Sequence, residues 1–115
     1  MHTVAYVFRR VPGMTLDEFR EYYEKKHGPR MVELMKDKGL LAYDQYPIRN
    51  HGVGDEYVPQ EGPAYDAISI FSFESAEAAS SVWPVPEIIE DSKAFIDFDT
   101  MIMLPINHHQ VFPKS

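Results

Sequence analysis

Thr15–Lys38, TLDEFREYYEKKHGPRMVELMKDK, is the stretch around which the rest of the chain has to be arranged. Thr15 precedes a run of helix formers and Glu18 follows three residues later, the pattern of a capping box in which each side chain satisfies a backbone N–H beside the other. At about 100° per residue, Leu16, Phe19, Tyr23 and His27 fall within an arc of roughly 80°, while Asp17, Arg20, Glu21, Glu24 and Lys25 lie mostly outside it. His27 therefore belongs to the apolar stripe. Gly28-Pro29 follows at once, and because proline lacks an N–H and disfavours helical geometry in the residue before it, the helix is expected to break or restart there. A titratable ring at the inner edge of a helix break is a natural pocket wall. A core or capping histidine is the other reading of the same position.

Upstream, Thr3–Arg9 is rich in Val, Tyr and Phe and reads as a strand, turned into the helix by Val-Pro-Gly-Met. After Pro29, Met31, Leu34 and Met35 keep helical spacing as far as Gly39, a position for a left-handed C-cap. Leu40–Ile48 is extended, with Pro47 marking an edge strand or its end. Residues 50–64, NHGVGDEYVPQEGPA, have three Gly, two Pro and no periodicity; they read as a long loop, either a lid or disordered. Tyr65–Phe73 is the third strand. Ser75 caps a second helix, interrupted at Trp83-Pro84-Val85-Pro86 and restarting with Pro86 in its first turn, which the apolar residues carry to about Phe98. Thr100–Ile106 is the last strand and 107–115 a tail. The order, strand, helix, strand, strand, helix, strand, is the ferredoxin-like split βαβ arrangement of the α+β class, in a single domain spanning 1–115.

Composition narrows the function classes. A net charge of -7 with Lys and Arg clustered only at Arg9-Arg10 and Lys25-Lys26 argues against nucleic acid as a partner. With no cysteine, neither a disulfide framework nor a thiolate site can be built. The longest apolar runs fall short of a membrane span and the N-terminus lacks a signal-peptide pattern, so a cytoplasmic, non-membrane protein is expected. Seven Tyr, seven Phe, six Met and one Trp supply either a normal core or a cavity for a flat ligand.

The strands also imply a partner. Val4, Tyr6 and Phe8 alternate with Ala5 and Val7, Phe71 and Phe73 with Ile68 and Ile70, and Met101 and Met103 with Ile102 and Leu104, so both faces of the sheet are apolar. Two helices cover only one face of a four-stranded sheet, and the usual way to bury the other is a second copy, giving a homodimeric α/β barrel.

At this point FRRVPGMTLDEFREYYEKKHGP resembles the opening of EthD-type domains of the dimeric α/β-barrel superfamily. YDAISIFSFESAEAA is similar to that family's third strand and second-helix start, and EDSKAFIDFDTMIMLPINHHQVF to its closing acidic helix and final strand. The resemblance implies a small homodimer from aromatic polyketide or catabolic pathways that decarboxylates, cyclises or dehydrates polyphenols, or, in neighbouring families, oxygenates anthrone-like substrates. By position it aligns His27 with the family's helix-end histidine, Asp66 with the acidic residue opening the third strand and His109 with a histidine of the last strand. Asn107-His108 stands where many relatives have Glu-His.

These residues give the candidate site. An imidazole titrating near neutrality suits proton transfer, so His27 is the candidate acid or base; burial would lower its pKa, a helix C-terminus or Asp66 would raise it, and the sign stays open. Asp66 is either a turn acceptor or the partner that sets the histidine tautomer. His109 completes the catalytic set. Tyr6, Tyr23, Tyr43, Tyr46 and Tyr65 could orient phenol oxygens, and with Phe71, Trp83, His51 and His108 they form the candidate substrate-binding set, each with packing or solvent exposure as its plainer reading. Adjacent strand residues point to opposite sides, so joint metal ligation by His108 and His109 is not expected, and no zinc-hydrolase, phosphate-loop or dinucleotide motif is present. The expectation is a cofactor-independent lyase on an aromatic polyketide-type substrate with His-centred acid–base chemistry. The alternatives are an anthrone-type monooxygenase, without cofactor or with haem on His27 or His109, and a non-catalytic aromatic-ligand binding protein.

Overall fold

The computed structural model describes residues 1–48 and 65–113. Four strands, β1 (His2–Arg10), β2 (Leu40–Pro47), β3 (Ala67–Phe73) and β4 (Ile96–Ile106), form one antiparallel sheet in the order β2-β3-β1-β4. Helices α1 (Leu16–Tyr22) and α2 (Gly28–Met35) join β1 to β2, while α3 (Ala76–Val82) and α4 (Pro86–Lys93) join β3 to β4. This is the ferredoxin-like βαββαβ fold that the strand and helix periodicities imply.

Alternation along the central strands decides which face is covered. Val4, Tyr6 and Phe8 on β1 are buried, and opposite them on β3 so are Ala67, Ser69 and Phe71, in a register that sets Tyr6 beside Ser69 and Val4 beside Phe71. The helices bring Phe19, Tyr23, Met31, Met35, Val82 and Ile88 onto this face, and Phe95 seals it. On the other face Ile102, Leu104 and Ile106 of β4 remain 39 %, 46 % and 37 % exposed.

The helix start matches the capping box: Glu18 N–H donates to Thr15 Oγ1 at 3.1 Å and Thr15 N–H to Glu18 Oε1 at 2.9 Å. At Gly28-Pro29 the helix restarts as expected, with α2 beginning at Gly28 and Pro29 in its first turn, but the chain does not leave helical geometry there. A π-helical turn, Tyr23–His27, links α1 to α2, and the backbone stays helical through Gly28, whose N–H bonds Tyr23 O in the wider i→i+5 pattern. Buried residues recur here every four positions, at Phe19, Tyr23, His27, Met31 and Met35. In a regular α-helix that spacing overshoots a turn by about 40° per step and would swing Met35 roughly 160° away from Phe19. The under-wound π turn returns the stripe to the core and spends the slack where Pro29 has no N–H to offer. Gln45 of β2 fixes the turn, its Nε2 donating to Tyr23 O at 2.7 Å, and it approaches so closely that a Cβ on Gly28 would lie 3.0 Å from that nitrogen.

The second helical segment also ends earlier than its apolar residues suggest. Ser75 caps α3, accepting Ala78 N–H at 3.1 Å, and Pro86 opens α4 as expected. The chain leaves α4 after Lys93, however, and β4 begins at Ile96 instead of Thr100. Its first residues pair with the basic end of β1, Asp97 opposite Arg9 and Ile96 opposite Arg10, and such cross-strand opposite charges favour strand over helix. At the C-terminus of α2, Gly39 takes the left-handed φ of 87° expected of it. Among the described residues no helix is long and apolar enough to cross a membrane.

Candidate active site

Between the covered face of the sheet and the helices lies a chamber of about 300 Å³. Its floor is Tyr6 and Phe8 of β1, Ser69 and Phe71 of β3, and Met101 and Met103 of β4; its roof includes His27, Met31, Trp83, Ile88 and Ser92. Among the described lining residues there is no Lys, Arg, Asp or Glu. Three rings box one end: Tyr6 meets Trp83 edge-on at 5.2 Å and Phe71 at 5.9 Å, and Phe71 meets Trp83 at 5.4 Å. Edge-to-face contacts of this kind hold aromatic walls in place.

His27 reaches the chamber because the π turn keeps it on the inner stripe, where it packs 4.5 Å from Phe95 and is only 4 % exposed. Its Nδ1 lies 2.7 Å from Oδ2 of Asp91 on α4. The other oxygen of Asp91 accepts the Tyr22 hydroxyl at 2.7 Å, so both carboxylate oxygens are engaged. Burial, opposed by Asp91, holds the imidazole below its ordinary pKa. At neutral pH the ring is therefore uncharged, Nδ1 carries the proton donated to Asp91, and Nε2 keeps its lone pair. Nε2 has no hydrogen-bond partner among the described residues, and His27 is one of the residues that line the chamber. The arrangement is that of an oriented base: a carboxylate fixes the tautomer and stabilises the imidazolium formed when Nε2 takes a proton. Burial and the Asp91 carboxylate push the Tyr22 phenol up to about 12, which keeps it a donor.

The structure separates the sequence candidates. His27, Tyr6, Phe71 and Trp83 line the chamber. Tyr23 and Tyr43 lie behind its wall: the Tyr23 hydroxyl bonds Ser69 Oγ at 2.7 Å, and Tyr43 stacks on Phe71 at 4.2 Å and receives Gln45 Nε2 at 2.9 Å. Asp66 is corrected, since it does not touch His27. Its Oδ1 accepts Arg10 Nη1 at 2.7 Å and its Oδ2 accepts Arg10 N–H at 2.8 Å, so it is the acceptor that ties the end of β1 to the start of β3. His109 and His108 are corrected as well: both are exposed in the tail beyond β4 and neither lines the chamber. Tyr46 points from the outer face of β2 at 53 % exposure, and Tyr65 precedes β3 away from the lining. His51 and the loop 50–64 lie outside the described residues.

Asp91 is the residue that sequence reasoning passed over. A signal existed, because Ile88, Asp91, Ser92 and Phe95 share one helical face and Ile88 and Phe95 are buried, which makes Asp91 the polar intruder on the inner stripe of α4 as His27 is on that of the first helix.

A ferredoxin-like sheet and its helices closing on an apolar chamber, with a histidine–carboxylate pair in the roof, define a small α+β domain with a ligand-sized interior. The chain belongs to the EthD family: the EthD domain profile matches residues 11–99. Among solved structures, the Arabidopsis thaliana protein At3g17210 is 18 % identical with a TM-score of 0.65, the alignment covering 96 % of this chain and 98 % of that one. An ethyl tert-butyl ether D (EthD) family protein from Bacillus halodurans is 15 % identical with a TM-score of 0.63, covering 95 % and 100 %. At such identities the likeness is one of fold. No curated protein matches the chain in sequence.

Proposed function

We propose that this EthD-family chain is a cofactor-independent enzyme in which His27, oriented by Asp91, moves protons on an aromatic polyketide-type substrate, in a decarboxylation, cyclisation or dehydration of the lyase type. The observation that carries the reading is the His27–Asp91 pair, 2.7 Å apart at the wall of a chamber whose described lining holds no Lys, Arg, Asp or Glu. Neutral Nε2 takes a proton from a carbon next to a ring carbonyl, the C–H electron pair moves into an enolate, and the imidazolium is held by Asp91. In dehydration the same proton then returns to the departing hydroxyl; in decarboxylation Nε2 instead takes the proton of the carboxylic acid, the C–C electron pair moves into the enolate as carbon dioxide leaves, and the imidazolium gives that proton to carbon. Acid–base assistance of this kind contributes about 10²–10⁴-fold in rate.

The active form in this reading is a cytoplasmic homodimer. Phe98, Met101 and Met103 line the chamber yet are 37 %, 36 % and 57 % exposed, and the outer face of β4 continues the apolar surface, which a second copy would cover. Sedimentation equilibrium should give twice the chain mass; a single-chain mass at micromolar concentration would remove the dimer from the proposal.

The catalytic test uses 2-tetralone, a flat bicycle with acidic C–H bonds beside its carbonyl, in deuterated water. The protein should accelerate hydrogen–deuterium exchange, and His27→Gln should remove about a hundredfold or more of the acceleration. Equal exchange by both proteins would leave a binding module without acid–base chemistry.

A further inference from the structure

Tyr6 holds a second polar atom at the chamber that the histidine–carboxylate pair does not use. Its ring stands on β1 between Ser69 of β3 and Met103 of β4, both of which line the same space. Phe71 and Trp83 clamp it edge-on, so the ring has little freedom to turn away. The residue is 8 % exposed, yet its hydroxyl has no hydrogen-bond partner among the described residues and is not among their sealed, unpaired atoms. Unpaired within the described residues, this hydroxyl belongs to a side chain that lines the chamber. Leaving such a group unpaired is costly, so its partner is expected to come from whatever fills the chamber.

Chemistry separates the roles of the two free atoms. Neutral Nε2 of His27 accepts a hydrogen bond and cannot donate one. A ketone, or the enolate that forms from it, presents only acceptor lone pairs and needs a donor. Burial raises the Tyr6 pKa well above the ordinary phenol value, so the proton stays on the hydroxyl throughout the working range. The other hydroxyl on the floor, Ser69, is already engaged with Tyr23.

We infer that the Tyr6 hydroxyl is the oxyanion donor of this site: it holds the carbonyl oxygen of a flat, oxygenated aromatic ligand and stabilises the charge that appears there when His27 takes the neighbouring proton. The inference rests on the acid–base reading of His27 and adds the substrate's chemical class, a ring system whose ketone or enol oxygen lies on the sheet side of the chamber. Preorganised donors at developing oxyanions act strongly in water-poor sites.

The test binds 1-tetralone, a ketone of matching shape, to the full chain and reads its carbonyl stretch by infrared difference spectroscopy. In the wild-type protein the stretch should fall below its position in an alkane solvent. Tyr6→Phe, which keeps the ring between Phe71 and Trp83, should return it to the alkane position and weaken binding about three- to tenfold. Fluorescence of Trp83, the chain's one tryptophan, reports whether the wall of the variant is intact. His27→Ala should leave the shifted stretch in place.

An unshifted stretch in wild-type protein, or no binding of 1-tetralone, overturns the inference without any variant. So does a shift that persists in Tyr6→Phe or vanishes in His27→Ala. The two readings fail separately: an unshifted stretch with 2-tetralone exchange that still needs His27 removes Tyr6 alone, whereas a Tyr6-dependent shift with exchange indifferent to His27 removes the acid–base reading.

Discussion

Oδ2 of Asp91 lies 2.7 Å from Nδ1 of His27, joining two residues separated by 64 positions in the chain. The contact sets the tautomer of the ring, leaves Nε2 without a proton and supplies the countercharge for a protonated intermediate. Replacing Asp91 by Asn keeps the shape but lets the amide bond either tautomer and removes the charge. Asp91→Asn should slow 2-tetralone exchange by about 10²–10⁴-fold and lower the His27 pKa further, since the carboxylate is what opposes burial. Exchange rates and an NMR titration of His27 check both.

The same ring makes stability depend on pH. Its folded pKa is lowered from the ordinary 6.5, so between the two values the unfolded chain binds a proton that the folded chain refuses. The contribution of neutral His27 is complete above pH 6.5 and is lost as pH falls from there through the folded value. Denaturant unfolding at a series of pH values should give a wild-type free energy that declines on the acid side by up to about 1.4 kcal/mol per pH unit from this group. His27→Gln should remove that part of the slope.

Asp66 is expected to matter for folding instead of chemistry. It is 2 % exposed and paired with an Arg10 side chain that is 32 % exposed, and removing the guanidinium leaves a buried carboxylate held only by the Arg10 backbone N–H. Arg10→Met should cost about 2–4 kcal/mol, below the full figure for a buried pair because Arg10 is partly in water. Below the unfolding temperature, 2-tetralone exchange per folded molecule should be unchanged. Urea titration combined with exchange rates separates the two effects.

Gly39 offers a test of the fold without touching the site. Its φ is 87°, and a Cβ there would come within 2.8 Å of Ala78 Cβ on α3. Gly39→Ala combines left-handed strain with a backbone-to-helix overlap and should destabilise the chain by about 2–4 kcal/mol in urea titration.

What could be read before folding was what local periodicity determines. The alternation at Val4, Tyr6 and Phe8, the Thr15–Glu18 capping box and the glycine at 39 each depend on neighbours a few residues away, and each reappears in the fold. The end of α4 was not legible locally, because Ile96 and Asp97 become strand only by pairing with Arg10 and Arg9 on β1. Nor was the continuous helix past Pro29, which depends on a π turn held by Gln45 of another element. Within the site, the inward direction of His27 followed from its stripe. Its partner did not, since the choice between Asp66 and Asp91 is made by which end of the sheet each reaches: Asp66 meets Arg10, and α4 carries Asp91 over the ring.

Central to all of this is a neutral imidazole with its proton on Nδ1 and its Nε2 open to the chamber. The direct measurement is a long-range ¹H–¹⁵N correlation spectrum of His27 at pH 7, before and after addition of 2-tetralone. The account predicts a protonated Nδ1, an unprotonated Nε2, and a ligand-induced shift confined to Nε2. An imidazolium at that pH, a proton on Nε2, or an Nε2 signal indifferent to the ligand would contradict it.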